Sequence, residues 1–265
     1  MRIVLDSTMD VSDELREKVT FVPLKVEIAG EVFEDGRDLS EVFKLMRKKN
    51  AFAKTSQPSP GEFERIYSEL LEETDWVLSI HISEKLSGTI SSARMAAERF
   101  RGRVFVFDSG FATIAAQLYV ERALEIEEEP PEVVLKEMEK IKSEMELYLT
   151  VGNLEFLKRS GRLKGIEALI GSILRLRPLI EVSGGALKTK KVYRSNARVL
   201  KTMKDLMEGA KEVVIGHILA PQVAEDLFQH AEKLGIKARI VPVRSCALSV
   251  HLGPESYGIA LRRRR

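Results

Sequence analysis

The chain has 265 residues, enough for one large domain or two small ones, with 44% hydrophobic and 31% charged residues and a formal net charge of +2. That balance, without an aromatic-rich basic stripe, gives no sign of a nucleic-acid surface, and no run of about 18 apolar residues is present for stable membrane insertion. A single cysteine, Cys246, permits no internal disulfide, and the first residues lead straight into a strand without a signal peptide, so a cytoplasmic protein is expected.

Arg2 to Leu5 reads as a strand ending in Asp6-Ser7-Thr8. Val19 to Ile28 is apolar with alternation, and Gly30-Glu31-Val32-Phe33 suggests a hairpin return. Asp38 to Lys48 has helical spacing, with Val42, Phe43 and Met46 inward. Thr55 and Ser56 lie in a loop before a helix whose start is marked by Ser59, Pro60 and Glu62, a capping box. Trp76 to Ile82 is a buried strand, Ser87-Gly88-Thr89 a turn, and a helix follows to Phe100. Arg103 to Phe107 is a strand, and Ala112 to Ile126 a helix. This alternation predicts an α/β fold with a mostly parallel sheet flanked by helices.

Glu127 to Glu132, with two prolines, is the main break in composition, and a helix to Glu144 follows it. The texture then changes. Six strand segments are expected, at Leu147–Val151, Pro178–Val182, Ala186–Val192, Glu212–Ile218, Lys237–Val243 and Tyr257–Leu261. Helices fall at Asn153–Arg159, Gly165–Leu174, Asn196–Met207 and Gln222–Leu234. Two α/β domains are therefore expected, residues 1–146 and residues 147–265, the second with a mixed sheet.

Polar side chains gather where strands of the first half end: Asp6 and Ser7, Ser87 and Thr89, Asp108 and Ser109. In open α/β sheets that edge is where ligands bind. Ser87, Gly88 and Thr89 at a helix start offer hydroxyls and unpaired N–H groups to a small anion; the same residues also read as an ordinary helix cap. His81 and His217 end apolar strands and fit a satisfied core, whereas His230 lies on a charged helix. His251 sits in a glycine-proline turn before the last strand, where a fixed imidazole can bond a carboxylate. Among the second half's arginines, Arg162 and Arg194 stand at helix boundaries and suit a phosphate contact. No G-x-G-x-x-G, P-loop, H-E-x-x-H or G-x-S-x-G is present, so no metal and no cofactor is expected.

Seven motifs then appear in order: Asp6-Ser7-Thr8, Thr55-Ser56-Gln57-Pro58-Ser59, Leu86-Ser87-Gly88-Thr89, Phe107-Asp108-Ser109, Leu157 to Arg162, Arg177-Pro178-Leu179-Ile180 and His251-Leu252-Gly253-Pro254. Together they resemble the DegV family of fatty-acid-binding proteins, which includes the binding subunit of bacterial fatty acid kinase. The resemblance spans essentially the whole chain. It implies a long-chain fatty acid buried between two α/β domains, its carboxylate held by Thr55, Ser87 and His251 with Ser56, Gly88 and Thr89 in support. It also implies a separate dihydroxyacetone-kinase-like partner that phosphorylates the bound acid, with Arg162 and Arg194 near that site. The last motif carries Leu252 and Glu255 where the family often has threonine and glycine.

An acyl tail gains about 0.8 kcal/mol for each buried methylene, which favours an enclosed tunnel. Ile166, Leu169, Ile170, Ile173 and Leu174 are candidate lining, and equally plain core. Two other readings use the same residues. One is a serine hydrolase, with Ser87 as nucleophile, His251 as base and Asp6 or Asp108 orienting. The other is a binder of a small phosphate ester, which needs more cationic contacts.

Overall fold

The computed structural model describes residues 1–161 and 176–263. In chain order the first half contains β1 (Arg2–Asp6), α1 (Asp13–Arg16), β2 (Thr20–Val22), β3 (Lys25–Ile28), β4 (Glu31–Glu34), α2 (Leu39–Lys49), β5 (Lys54–Ser56) and α3 (Pro60–Leu70). It continues through β6 (Val77–His81), α4 (Thr89–Ala97), β7 (Val104–Asp108), α5 (Ala115–Glu125) and α6 (Pro131–Glu144). Strands β2-β1-β6-β7 lie side by side, all parallel. Every residue of β6 is buried, as a parallel strand covered on both faces requires. On one face Phe63, Ile66 and Tyr67 of α3 pack with Val4, Val77 and the α4 residues Ala93 and Ala96.

The apolar stretch Val19–Ile28 is not one strand. It divides at Pro23 into β2 and β3, which belong to different sheets. Proline has no N–H to continue a ladder, and the next amide, Leu24 N, donates instead to Ser7 Oγ at 3.0 Å. Strand β3 then pairs antiparallel with β4 and β5 in a small third sheet. Thr55 is therefore on a strand and not in the expected loop, because Lys25-Val26-Glu27 supplies its ladder partners.

The second half contains β8 (Met145–Thr150), α7 (Leu154–Arg159), β9 (Arg177–Ser183), β10 (Ala186–Tyr193), α8 (Asn196–Met207), β11 (Glu212–Ile218), α9 (Pro221–Lys233), β12 (Lys237–Pro242), α10 (Cys246–Leu252) and β13 (Ser256–Arg262). Its sheet runs β10-β9-β8-β13-β11-β12, antiparallel except for the last pair. The six expected strands are all present. Side chains alternate across this sheet with period two. Tyr148, Val213, Ile215 and Ile259 join a core with Val199, Met203 and Leu227 of α8 and α9. Leu147, Leu149, Ile218 and Ala260 join the largest apolar cluster, which also holds Ile3, Leu5, Leu78 and Ile80 of the first sheet. The two sheets thus share one core.

Residue His251 does not stand in an irregular turn. It occupies the last turn of α10, which Gly253 ends at φ 82° and ψ 166°, a conformation essentially restricted to glycine. A Cβ at Gly253 would also press on the Phe156 ring, 2.7 Å from Cδ2. Gly253→Ala is therefore expected to destabilise the protein by about 1–3 kcal/mol or more. Urea unfolding measures this, and an unchanged midpoint would contradict it.

Candidate functional site

The helix carrying His251 is anchored from the other half of the chain. Ser245 is its N-cap: its hydroxyl accepts from Leu248 N at 3.0 Å and donates to Asp35 Oδ2 at 2.6 Å. Asp35 Oδ1 accepts from Cys246 N at 2.7 Å, Ala247 N at 3.2 Å and the Cys246 thiol at 2.8 Å. Buried Asp10 accepts from Arg244 N at 2.8 Å and Ser245 N at 3.3 Å, and from Thr113 Oγ1 at 2.8 Å. Two carboxylates thus satisfy the otherwise orphaned amides of the α10 start. The result fixes the imidazole: His251 Nε2 lies 2.7 Å from Thr55 Oγ1.

The Ser87 turn is held just as tightly. Ser87 N donates to Ser83 O at 3.1 Å, and Ser83 N to Phe111 O at 2.8 Å. Ser83 Oγ donates to Gly185 O and Lys85 Nζ to Gly184 O, at 2.8 and 2.6 Å. The β9–β10 turn is therefore bound to the turn that presents Ser87. Gly88, not Ser87, is the N-cap of α4, and Ser87 Oγ lies 2.8 Å from Thr89 Oγ1. The Gln57 amide packs directly over Gly88, and Gln57 Nε2 donates to Ser92 Oγ at 3.0 Å. Gln57 links the end of the strand of Thr55 to the helix that follows the Ser87 turn.

Thr55, Ser87 and His251 all line one cavity of about 700 Å³, a volume that counts space open to solvent. Most other wall residues are apolar, Leu24, Ile82, Leu86, Leu149, Leu157 and Leu248 among them, and no Lys or Arg is among the described ones. Three further hydroxyls on this wall are committed elsewhere. Thr8 donates to Asp6 Oδ1, Thr113 to Asp10, and Ser160 to Leu157 O at 2.7 Å. Of the supporting residues, Thr89 is buried at the first turn of α4, while Ser56 and Gly88 are exposed beside Thr55 and Ser87. Arg194 is exposed at the β10–α8 junction and is not on the cavity wall. Arg162, Ile166, Leu169, Ile170, Ile173 and Leu174 lie outside the described residues.

The other titratable groups have structural partners. Asp6 is fully buried. Burial opposes its charge, yet the bond and charge of His81, with Thr8 and the Ile82 amide, hold its carboxyl below the ordinary value. His81 Nδ1 lies 3.1 Å from Asp6 Oδ2, and its Nε2 2.7 Å from Ser79 Oγ. His217 Nδ1 accepts from Ala220 N at 3.3 Å, and burial lowers its pKa. Burial and the adjacent Asp35 push the Cys246 thiol up to about 12, so it is no nucleophile. Among the described residues, no group of three or more His, Cys, Asp or Glu is placed to hold a metal. Among the described residues no hydrogen bond links Ser87 to His251, or His251 to Asp6 or Asp108. Ser87 is paired with Thr89, His251 with Thr55, Asp6 with His81, and Asp108 Oδ1 with Gly110 N.

The fold and its cavity define an α/β protein whose two larger sheets share one core beside a largely apolar cavity. The chain belongs to the DegV family, whose model matches residues 1–264. A DegV domain-containing protein of Deinococcus radiodurans is 35% identical, covering 98% of this chain and 97% of that one. A solved DegV family protein from Thermus thermophilus, described for its fatty acid binding, superposes with TM-score 0.89 at 35% identity over all of both chains. DegV of Bacillus subtilis, described as a fatty acid binding protein, superposes with TM-score 0.88 at 26% identity over 99% of each. Among the described residues no helix is long and apolar enough to cross a membrane.

Asp10 gives the site a pH dependence. Burial pushes its carboxyl up to about 7, against the Arg244 and Ser245 amides and Thr113, with the Asp35 charge adding to the rise. The unfolded value is near 3.8. The native state therefore binds the extra proton, and stability falls as pH rises through this window. Asp10→Asn, which keeps an acceptor for the amides, is expected to flatten the decline. Urea unfolding of both proteins at acidic and mildly alkaline pH checks it, and equal slopes would remove Asp10 as the cause.

Proposed function

We propose that the protein binds a long-chain fatty acid, burying it between residues 1–146 and residues 147–265. The carboxylate is held by Thr55, Ser87 and His251, with Thr89 and the backbone around Gly88 in support. The observation that carries this reading is the convergence of these side chains on a largely apolar cavity whose other hydroxyls are committed elsewhere. A single polar end with a long hydrocarbon wall matches an amphiphilic carboxylic acid. The relatives from Thermus thermophilus and Bacillus subtilis, described as fatty-acid-binding, support the same ligand class. The lack of Lys and Arg among the described wall residues argues against a phosphate ester.

The chain is a binding protein and not an enzyme by itself, and its only ligand in this reading is the acid. It works in the cytoplasm and presents the bound acid to a dihydroxyacetone-kinase-like partner for acyl phosphate formation. Arg162 and Arg194 serve that encounter. Arg194 is exposed and beside the start of α8, where a partner can reach it.

Mass spectrometry of the purified protein, native and then denatured with organic extraction, is expected to release about one long-chain acid per chain. Ser87→Ala and His251→Ala should each weaken binding about 10- to 100-fold, the worth of one charge-assisted hydrogen bond, without unfolding the protein. A wild-type protein that neither carries nor takes up fatty acid would overturn the reading.

A further inference from the structure

Ser87 reaches the polar corner by a different route from its two companions. Thr55 is held in a β-ladder and bonded to His251, whereas Ser87 Oγ bonds within its own turn, to Thr89. The backbone of that turn hangs from one residue. Ser83 O accepts Leu86 N at 2.9 Å and Ser87 N at 3.1 Å, so the place of Ser87 follows the place of Ser83.

Ser83 is itself tied on several sides, and it is 1% exposed. It stands just past β6, where the preceding amide, Ile82 N, donates to buried Asp6 at 2.9 Å. Its own N–H donates to Phe111 O, between β7 and α5, at 2.8 Å. Its hydroxyl donates to Gly185 O at 2.8 Å and accepts from Lys85 N at 3.3 Å. Gly185 belongs to the β9–β10 turn of the second half, with φ 81°, and a Cβ there would lie 2.5 Å from Ser83 Oγ. Lys85 Nζ adds a bond to Gly184 O at 2.6 Å. Val182 and Leu187, paired at the root of this turn, line the cavity together with Ser87. Neither Ser83 nor Lys85 is among the described wall residues.

The Ser83 hydroxyl therefore fastens a turn of the second half to the turn that presents Ser87. Removing it would leave the Gly185 carbonyl without its donor and the Ser83–Ser87 turn free to shift. A shift of a few tenths of an ångström matters at Ser87, because a hydrogen bond weakens steeply with distance and angle.

We propose that Ser83 is a positioning residue for acid binding. Its carbonyl aims Ser87 at the carboxylate, and its hydroxyl ties that aim to the β9–β10 turn, with Lys85 as a second tie. The inference rests on the fatty-acid reading above. It adds that Ser87 grips at full strength only while this turn is fastened.

The test is a double-mutant cycle on the affinity for hexadecanoic acid, measured by calorimetric titration of delipidated protein. Ser83→Ala should weaken binding about tenfold when Ser87 is present, and by less than about twofold in the Ser87→Ala background, where its route to the acid is gone. A residue that merely supports the fold would cost the same in both. Lys85 is exposed, and Lys85→Met should repeat the pattern on a smaller scale, about threefold against no change. Thermal melts establish that each variant is folded, and Lys85→Met decides the matter if Ser83→Ala does not fold. Unchanged affinity in folded Ser83→Ala, or equal losses in the two backgrounds, would overturn the inference and leave the ligand class standing. No binding by the wild type would remove both.

Discussion

The Asp10 carboxylate sits where the start of α5, the end of β1 and the Arg244–Ser245 turn converge, and much of the site depends on its bonds. One oxygen accepts the amides that begin α10, and the other accepts the hydroxyl of Thr113. The first bond pair sets where His251 stands, and the second holds Thr113 on the cavity wall. A buried acceptor that lost these donors would leave them unpaired in an apolar setting, at a cost of about 1–3 kcal/mol for each. Asp35 repeats the device one layer further out, with four bonds to the same helix start. Both carboxylates come from the first half of the chain and the helix from the second, so Thr55, Ser87 and His251 come together only when the halves are docked.

Enclosure follows from how the remaining polar groups are disposed. A chamber wall containing threonines and serines is apolar only if their hydroxyls bond elsewhere, and here Thr8, Thr113 and Ser160 do so. The chain of Asp6, His81 and Ser79 beneath the first sheet serves the same end, because it takes the Thr8 hydroxyl as well as satisfying itself. The chamber therefore separates into a hydrocarbon space and one polar corner. The β9–β10 turn, bonded to Ser83 and Lys85, keeps that corner's Ser87 turn in place.

Much of this was legible in the sequence where the signals are local. The six strands of the second sheet and the capping box at Ser59 follow from alternation, turn residues and hydroxyl spacing. Ser87 was visible because a hydroxyl, a glycine and another hydroxyl stand between a buried strand and a helix. The helix of His251 was not visible. Its residues Cys246, Ala247, Ser249 and Val250 are all buried, so it has no amphipathic contrast, and its outer cap, Asp35, is 210 residues from Ser245. Strand β5 is three polar or charged residues that become a strand only through β3. Asp10, Asp35, Gln57 and Thr113 escaped for the same reason: each acts on a distant element, and Asp35-Gly36 resembles only a turn.

The sole cysteine lies in the first turn of α10, fully buried and bonded through its thiol to Asp35. While the helix is docked, that sulfur is hidden and firmly protonated, so oxidants and alkylating reagents pass it by. Any excursion that lifts α10 from its two carboxylates bares the thiol and moves His251 together. The protein thus carries its own clock for the opening of its site: the rate at which Cys246 becomes reactive counts how often the imidazole leaves its post.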